Sequence, residues 1–268
     1  MAETAEVTHT QTAVEHRKGE KERTSLREYA ESLLVTVILA LFGTSFVVQA
    51  FKIPSQSMEQ TLLVGDHLLV NKFIFGGRGA WYEKFLPYRP IRRGDIIVFK
   101  FPYEDHAHYV KRVIGVPGDR IRIADQQVYV NGRPTSEPYV VHDPGAPYDS
   151  FGDNFPPVNP HFVQSSLRPE WRNQILRSVD KQTGELIVPA NKYFAMGDNR
   201  DHSWDSRYWG FVDREAVMGR PMLIYWSVDA TSADYSDRSL LNRLVGVLDT
   251  LIHLPVRTRW SRMLHGVH

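Results

Sequence analysis

The sequence predicts a mostly β protein in which one N-terminal transmembrane helix is followed by an external all-β domain. Three observations carry that expectation. Residues Leu33 to Phe51 run without a charge. Six short segments rich in β-branched and aromatic residues follow, each bounded by Gly, Pro, Asp or Asn. The chain has 268 residues, 42% hydrophobic and 24% charged, enough for a sizeable core in one or two domains.

Taken in order, residues 1–29 form a polar cytoplasmic tail, rich in Thr, Glu, Lys and Arg and without apolar period through residue 24. Residues 30–51 form the anchor. Its charge-free run, at helical rise, covers about 28 Å, close to the thickness of a bilayer core. Arg17, Lys18, Lys21, Arg23 and Arg27 precede the run, whereas only Lys52 lies in the twenty residues after it. That asymmetry puts the N-terminus in the cytoplasm and everything after Phe51 outside. Two other readings of the run are a buried core helix and a cleaved export signal, the latter because Val48-Gln49-Ala50 has the small-x-small form of a cleavage site.

The β segments are Asp95–Phe101, Tyr109–Ile114, Arg120–Ile123, Gln127–Val130, Tyr193–Met196 and Met222–Trp226, inside a domain of residues 52–228. Residues 134–180 lack regular period and carry Pro134, Pro138, Pro144, Pro147, Pro156, Pro157 and Pro160, which places an insertion at about 119–190. The aromatic and glycine-rich stretch Phe73–Tyr88 reads either as a loop dipping into the membrane interface or as core strands joined by a glycine turn. Residues 229–268 form a C-terminal amphipathic segment. Leu240, Leu241, Leu244, Val245, Leu248, Leu251 and Ile252 share a helical face behind a Ser239 cap, too short to span before Pro255. Arg257, Arg259, Trp260 and Arg262 beyond it suit a membrane surface or a helix packed on its own domain.

Composition excludes several chemistries. A net charge of +1 supplies no basic field for nucleic acid, and the absence of cysteine removes disulfides, thiolate zinc sites and a cysteine nucleophile. His106 and His108 have metal-ligand spacing but no evident third ligand, so no metal and no cofactor is expected. The serine pair Ser55 and Ser57, just after the apolar run, is the notable feature. A serine is inert as a nucleophile until a base takes its proton. His202, with Asp198 or Asp201, is one candidate set. Lys111 is the other: in an alternating strand it shares a face with Tyr109 and Val113, and an apolar face would lower its pKa toward that of a working base. An edge-strand charge is the plain alternative for Lys111. Arg112 cannot serve, because guanidinium does not deprotonate.

Ser55-Gln-Ser57-Met58 after the apolar run, Gly94–Lys100, Tyr109–Asp119 and the box GDNRDHSWDSRYWGFV from Gly197 to Val212 occur in that order. Together they resemble the motif boxes of bacterial type I signal peptidases, from the anchor to about Ser227. The resemblance implies an antiparallel β-barrel-like catalytic domain with a β insertion, single-pass in the cytoplasmic (inner) membrane. It implies a serine endopeptidase that removes signal peptides from exported preproteins by a Ser/Lys dyad, with those signal peptides and the lipid bilayer as partners. Ser57 matches the nucleophile and Lys111 the general base. Ser55 matches the hydroxyl that helps the Ser57 N–H bind the oxyanion, and Ser203 the serine that orients the lysine amine. Asp205 and Arg207 match a structural ion pair beside the site, and Gly197 a place where backbone nears the base, or a plain turn. By the same resemblance, His202 falls at a variable position and reads as a solvent-side polar residue. Gln60 departs from the family's usual proline, and the second anchor and disulfide of some members are absent. The alternative functions are a membrane-tethered self-cleaving Ser/Lys protease and a non-catalytic binding domain.

Overall fold

A computed structural model of the chain describes residues 27–44, 48–76, 88–104, 107–157, 167, 169–231 and 254–268. It divides into two compact units, 1–47 and 48–268.

In the first unit, residues 27–44 form helix α1. Its side chains Leu33, Leu34, Val35, Val37, Ile38, Leu39, Leu41 and Phe42 are exposed, and its hydroxyls are turned inward: Thr36 Oγ1 donates to the Ser32 carbonyl and Thr44 Oγ1 to that of Ala40, each at 2.8 Å. Among the described residues no helix is long and apolar enough to cross a membrane.

The apolar run does not stay helical to Phe51. Strand β1, Val48–Lys52, pairs antiparallel with β2, Asp66–Asn71, from Val48 opposite Asn71 to Lys52 opposite His67. Lack of charge measures burial and not conformation, so it cannot separate helix from strand. Here the β2 ladder satisfies the backbone groups that a longer helix would have had to bond internally. The helix expected to run through Phe51 therefore ends before Val48.

The six segments read as strands are all strands: β3 (Ile96–Lys100), β4 (His108–Gly115), β5 (Arg120–Ala124), β6 (Gln127–Val130), β9 (Lys192–Met196) and β11 (Val217–Ser227). With β10 (Val212–Asp213), the main sheet has the order β1-β2-β11-β3-β4-β9-β10, and β12 (His265–Gly266) joins β11. Every strand pair is antiparallel. Strand β11 is the pivot. Its first residues pair with β3, and from Arg220 on it pairs with β2, with register shifts after Pro221 and Ile224 that bend the sheet. The result is a curled open sheet; among the described strands β1 and β10 do not pair to close a barrel.

A second sheet, β7-β6-β5-β8, adds β7 (Arg133–Pro134) and β8 (Leu186–Ile187), and lies inside the expected insertion. That insertion is more regular than its prolines suggest. Helix α2, Pro169–Ser178, starts on a proline, whose missing N–H costs nothing there, and buries Trp171 and Ile175, one helical turn apart. Its shortness hid the period. Three apolar clusters fill the unit. One lies between the second sheet and α2, one holds Phe99, Phe101 and Trp209, and a third holds Ile53, Met58, Leu62, Leu68 and Val267 around the Ser57 segment. Phe75 belongs to the second cluster and Ile74 packs on it, so the start of the Phe73–Tyr88 stretch is core and not membrane loop; residues 77–87 lie outside those described, as do residues 240–252, where the sequence predicts a C-terminal helix.

Candidate active site

After β1 the chain passes Ile53 and Pro54 into a single 3-10 turn, Gln56–Met58, in which Ser57 and Met58 are buried and Ser55 is exposed. Met58 anchors this turn in the third cluster. Across from it, β4 carries Lys111 on its inner side: residues 111 to 115 are all buried, with β3 paired to β4 as far as Arg112 and β9 from Arg112 on. Lys111 Nζ lies 2.5 Å from Ser57 Oγ, and both side chains are buried. Ser55 Oγ is 3.4 Å from Ser57 Oγ. The pair opens into a cavity of about 500 Å³ lined by Phe51, Ile53, Tyr109, Val110, His202 and Trp204 among others.

Burial pushes the Lys111 amine down from 10.5 to about 8; Asp205 pulls it back up, Arg207 pushes it down and Asp198 pulls it up. A lysine so tuned is substantially neutral near pH 8 and can accept the proton of a hydroxyl 2.5 Å away. The surrounding charges are paired. Asp205 receives Arg207 Nε and Nη2, each at 2.9 Å, and the Gly197 N–H at 3.1 Å. Burial alone would raise the Asp205 carboxyl, but the charge and hydrogen bonds of Arg207, and then Lys111, hold it below the usual range. Asp205 also caps helix α3, Ser206–Trp209, by accepting from the Arg207 N–H.

Gly197 is a close-approach position: a Cβ there would overlap the Ser57 carbonyl oxygen and Ser203 Oγ. Ser203 Oγ, close to Gly197, is buried and has no hydrogen-bond partner among the described residues. The triad reading fails on geometry. His202 Nε2 faces Asp143 Oδ2 at 3.0 Å, Asp198 forms a bidentate pair with Arg112 at 2.8 and 2.7 Å, and Asp201 accepts from the Asp143 N–H at 2.7 Å.

Sequence reasoning missed the supports of the nucleophile turn. The Asn199 N–H donates to the Ser57 carbonyl at 3.2 Å, Asn199 Nδ2 to Glu59 Oε2 at 3.2 Å, and Thr61 Oγ1 to Asp198 Oδ2 at 2.6 Å. Asn199 and Asp198 lie in the last motif box, but nothing local says that they reach back some 140 residues. Gln60 has φ +73°, which a proline ring cannot adopt. The departure from proline is thus matched by a different backbone at that residue. Among the described residues no cluster of His, Cys, Asp and Glu could hold a metal, and His106 lies outside them.

A buried serine held against a tuned lysine, at the edge of a curled antiparallel sheet, has the form of a serine peptidase site that uses an amine base. The comparisons place the chain more narrowly: it belongs to the family described as signal peptidase, peptidase S26, whose model matches residues 26–226. Signal peptidase I of Pseudomonas aeruginosa is 35% identical over 216 residues, covering 75% of this chain and 73% of the relative. Signal peptidase I of Pseudomonas fluorescens is 36% identical over 217 residues, with coverages of 75% and 73%. That of Aquifex aeolicus is 30% identical over 257 residues, covering 85% of this chain and 95% of the relative.

Proposed function

We propose that this serine endopeptidase cleaves signal peptides from exported preproteins with Ser57 as nucleophile and Lys111 as general base. The 2.5 Å contact between Lys111 Nζ and Ser57 Oγ, in a buried setting that lowers the amine pKa, carries the reading. Neutral Lys111 takes the hydroxyl proton as Ser57 Oγ attacks the scissile carbonyl. The negative charge that builds on the carbonyl oxygen is met by the Ser57 N–H and the Ser55 hydroxyl. The Lys111 ammonium then protonates the leaving amine, and the C–N bond breaks to leave an acyl ester on Ser57. Water, deprotonated by the same lysine, hydrolyses that ester. Asp205 and Arg207 act as a structural pair that holds Gly197 against the site.

Two strands line the cavity: Phe51 and Lys52 of β1, and His108 to Lys111 of β4. An extended peptide laid between them can bond to both. With β1 starting at Val48, the anchor lies before it; α1, residues 27–44, covers about 27 Å at helical rise, with Arg27, Glu28 and Glu31 at the cytoplasmic end. The inward-turned threonine hydroxyls suit such a helix to lipid. Purified full-length chain in detergent should cut a preprotein bearing a signal peptide, and Ser57→Ala should not. Equal cleavage by the two would remove Ser57 from the reaction.

A further inference from the structure

The family match ends at residue 226, yet the chain returns to the catalytic unit 32 residues later. Thr258 bridges Val228, the Arg259 N–H donates to the Ser227 carbonyl at 2.9 Å, the Leu264 N–H to that of Ile224 at 2.7 Å, and β12 pairs with β11. Thr258 and Val267 are buried, and Val267 packs in the cluster that contains Ile53, Met58 and Leu62, the residues around Ser57. Residues 258–267 form a strap behind the nucleophile.

What the strap grips is the turn that follows Ser57. Asp66 is fully buried at the end of that turn, accepting from the Leu63 N–H at 2.8 Å and Ser227 Oγ at 2.6 Å. Arg262 Nη2 bonds Asp66 Oδ2 at 2.7 Å and the Thr61 carbonyl at 3.1 Å, and its Nε reaches Asp66 Oδ1 at 3.3 Å. Arg259 Nη1 donates to the Val64 carbonyl at 3.0 Å. Backbone bonds from the Leu62 N–H to the Met58 carbonyl at 2.7 Å and from the Gly65 N–H to that of Ile53 at 3.0 Å also tie the turn down, but Gln60, just before it, sits at φ +73°, uncommon for a residue with a side chain. The fork of one guanidinium joins the turn's first carbonyl to its buried carboxylate in a fixed planar geometry that an ammonium on a flexible stem does not hold.

We infer that the C-terminal strap, through Arg262, is a positioning device for Ser57: it fixes the 61–66 turn and so the distance from Ser57 to Lys111. This rests on the proposed role of Ser57. Arg262 touches no substrate; it acts through Thr61 and Asp66. A misplacement of about 1 Å in a reacting group can cost on the order of a hundredfold in rate, so a loosened turn must show in kcat.

The test compares wild type, Arg262→Gln, Arg262→Lys and Val256→Ala as full chains in detergent, the last changing a residue 85% exposed. Three readouts are taken: amide hydrogen exchange at Leu62, Leu63 and Gly65, the split of kcat and KM on a preprotein, and thermal stability. Arg262→Gln should exchange faster at these amides and lose kcat by about tenfold to a hundredfold, with KM changed less than about twofold. Arg262→Lys should fall between, and Val256→Ala should match wild type. Wild-type exchange in a folded Arg262→Gln chain, or faster exchange with unchanged kcat, overturns the inference. A fall in melting temperature with neither of the other changes also overturns it. Exchange at the turn does not depend on which residue attacks the substrate. An active Ser57→Ala would therefore fail the dyad without being mistaken for failure of the strap.

Discussion

Lys111 is costly to place where it is. Its amine titrates at about 8 inside the protein against 10.5 in the open, and one pKa step is worth about 1.4 kcal/mol, so burying the ammonium at neutral pH costs about 3 kcal/mol. Between pH 8 and 10.5 the unfolded chain holds a proton that the folded chain has released, so stability rises with pH through that window. Below it both states are protonated and the penalty is constant. Activity has the matching sign: the neutral base is lost as pH falls below about 8, so kcat/KM should decline on the acid side with a midpoint there. Lys111→Arg and Lys111→Ala should each lose nearly all turnover, since the first keeps charge but cannot accept a proton. Lys111→Met should be inactive yet more stable than wild type at pH 7 in denaturant melts. His202→Ala, whose side chain faces Asp143, should keep most of the activity. A pH profile flat down to 6, or a dead but folded His202→Ala, would return the base to imidazole.

Single elements transmit order to this pair from outside it. Helix α2 lies in the insertion, remote in sequence from every motif residue, but Trp171 is fully buried and its Nε1 donates to the Arg207 carbonyl at 2.8 Å. Gly210, at φ +107°, lets the backbone pass against the indole. The helix therefore steadies α3 from behind, and α3 carries Arg207, the partner of Asp205. Trp171→Ala should destabilise the protein by about 3 to 5 kcal/mol in urea melts. Trp171→Phe, which keeps most of the apolar volume and loses the hydrogen bond, should cost about 1 to 2 kcal/mol. Equal losses in the two would mean that the indole N–H is the whole contribution.

For the molecule as a whole, the prediction concerns topology and is read from charge. Five basic residues precede the apolar run and one lies in the twenty residues after it, which predicts the tail in the cytoplasm and residues 48–268 outside. On the proposed function, the catalytic unit would then meet preproteins on the outer side. Protease added to intact spheroplasts should digest the external unit and leave a small N-terminal fragment protected. A catalytic unit protected until the cells are lysed would reverse the orientation.

The sequence by itself determined the family and the strand content, and it singled out the serine and the lysine that the fold brings together. Motif residues are selected for chemistry that depends on their type, and short β-branched runs between turn formers have few other outcomes: β3, β4, β5, β6, β9 and β11 all lie where they read. Where the apolar run changes from helix to strand was decided by tertiary structure, because β1 exists only through β2, and a charge-free run is equally compatible with both. The same is true of Asp198, whose carboxylate could have served a histidine until the fold set Arg112 against it, and of Ser203, whose hydroxyl the sequence aligns with the base but the packing leaves without a partner. Asn199, Thr61 and Arg262 were beyond reach for one physical reason. Each acts by a hydrogen bond to a residue far off in the chain, and such bonds have no period, spacing or composition by which a sequence could announce them.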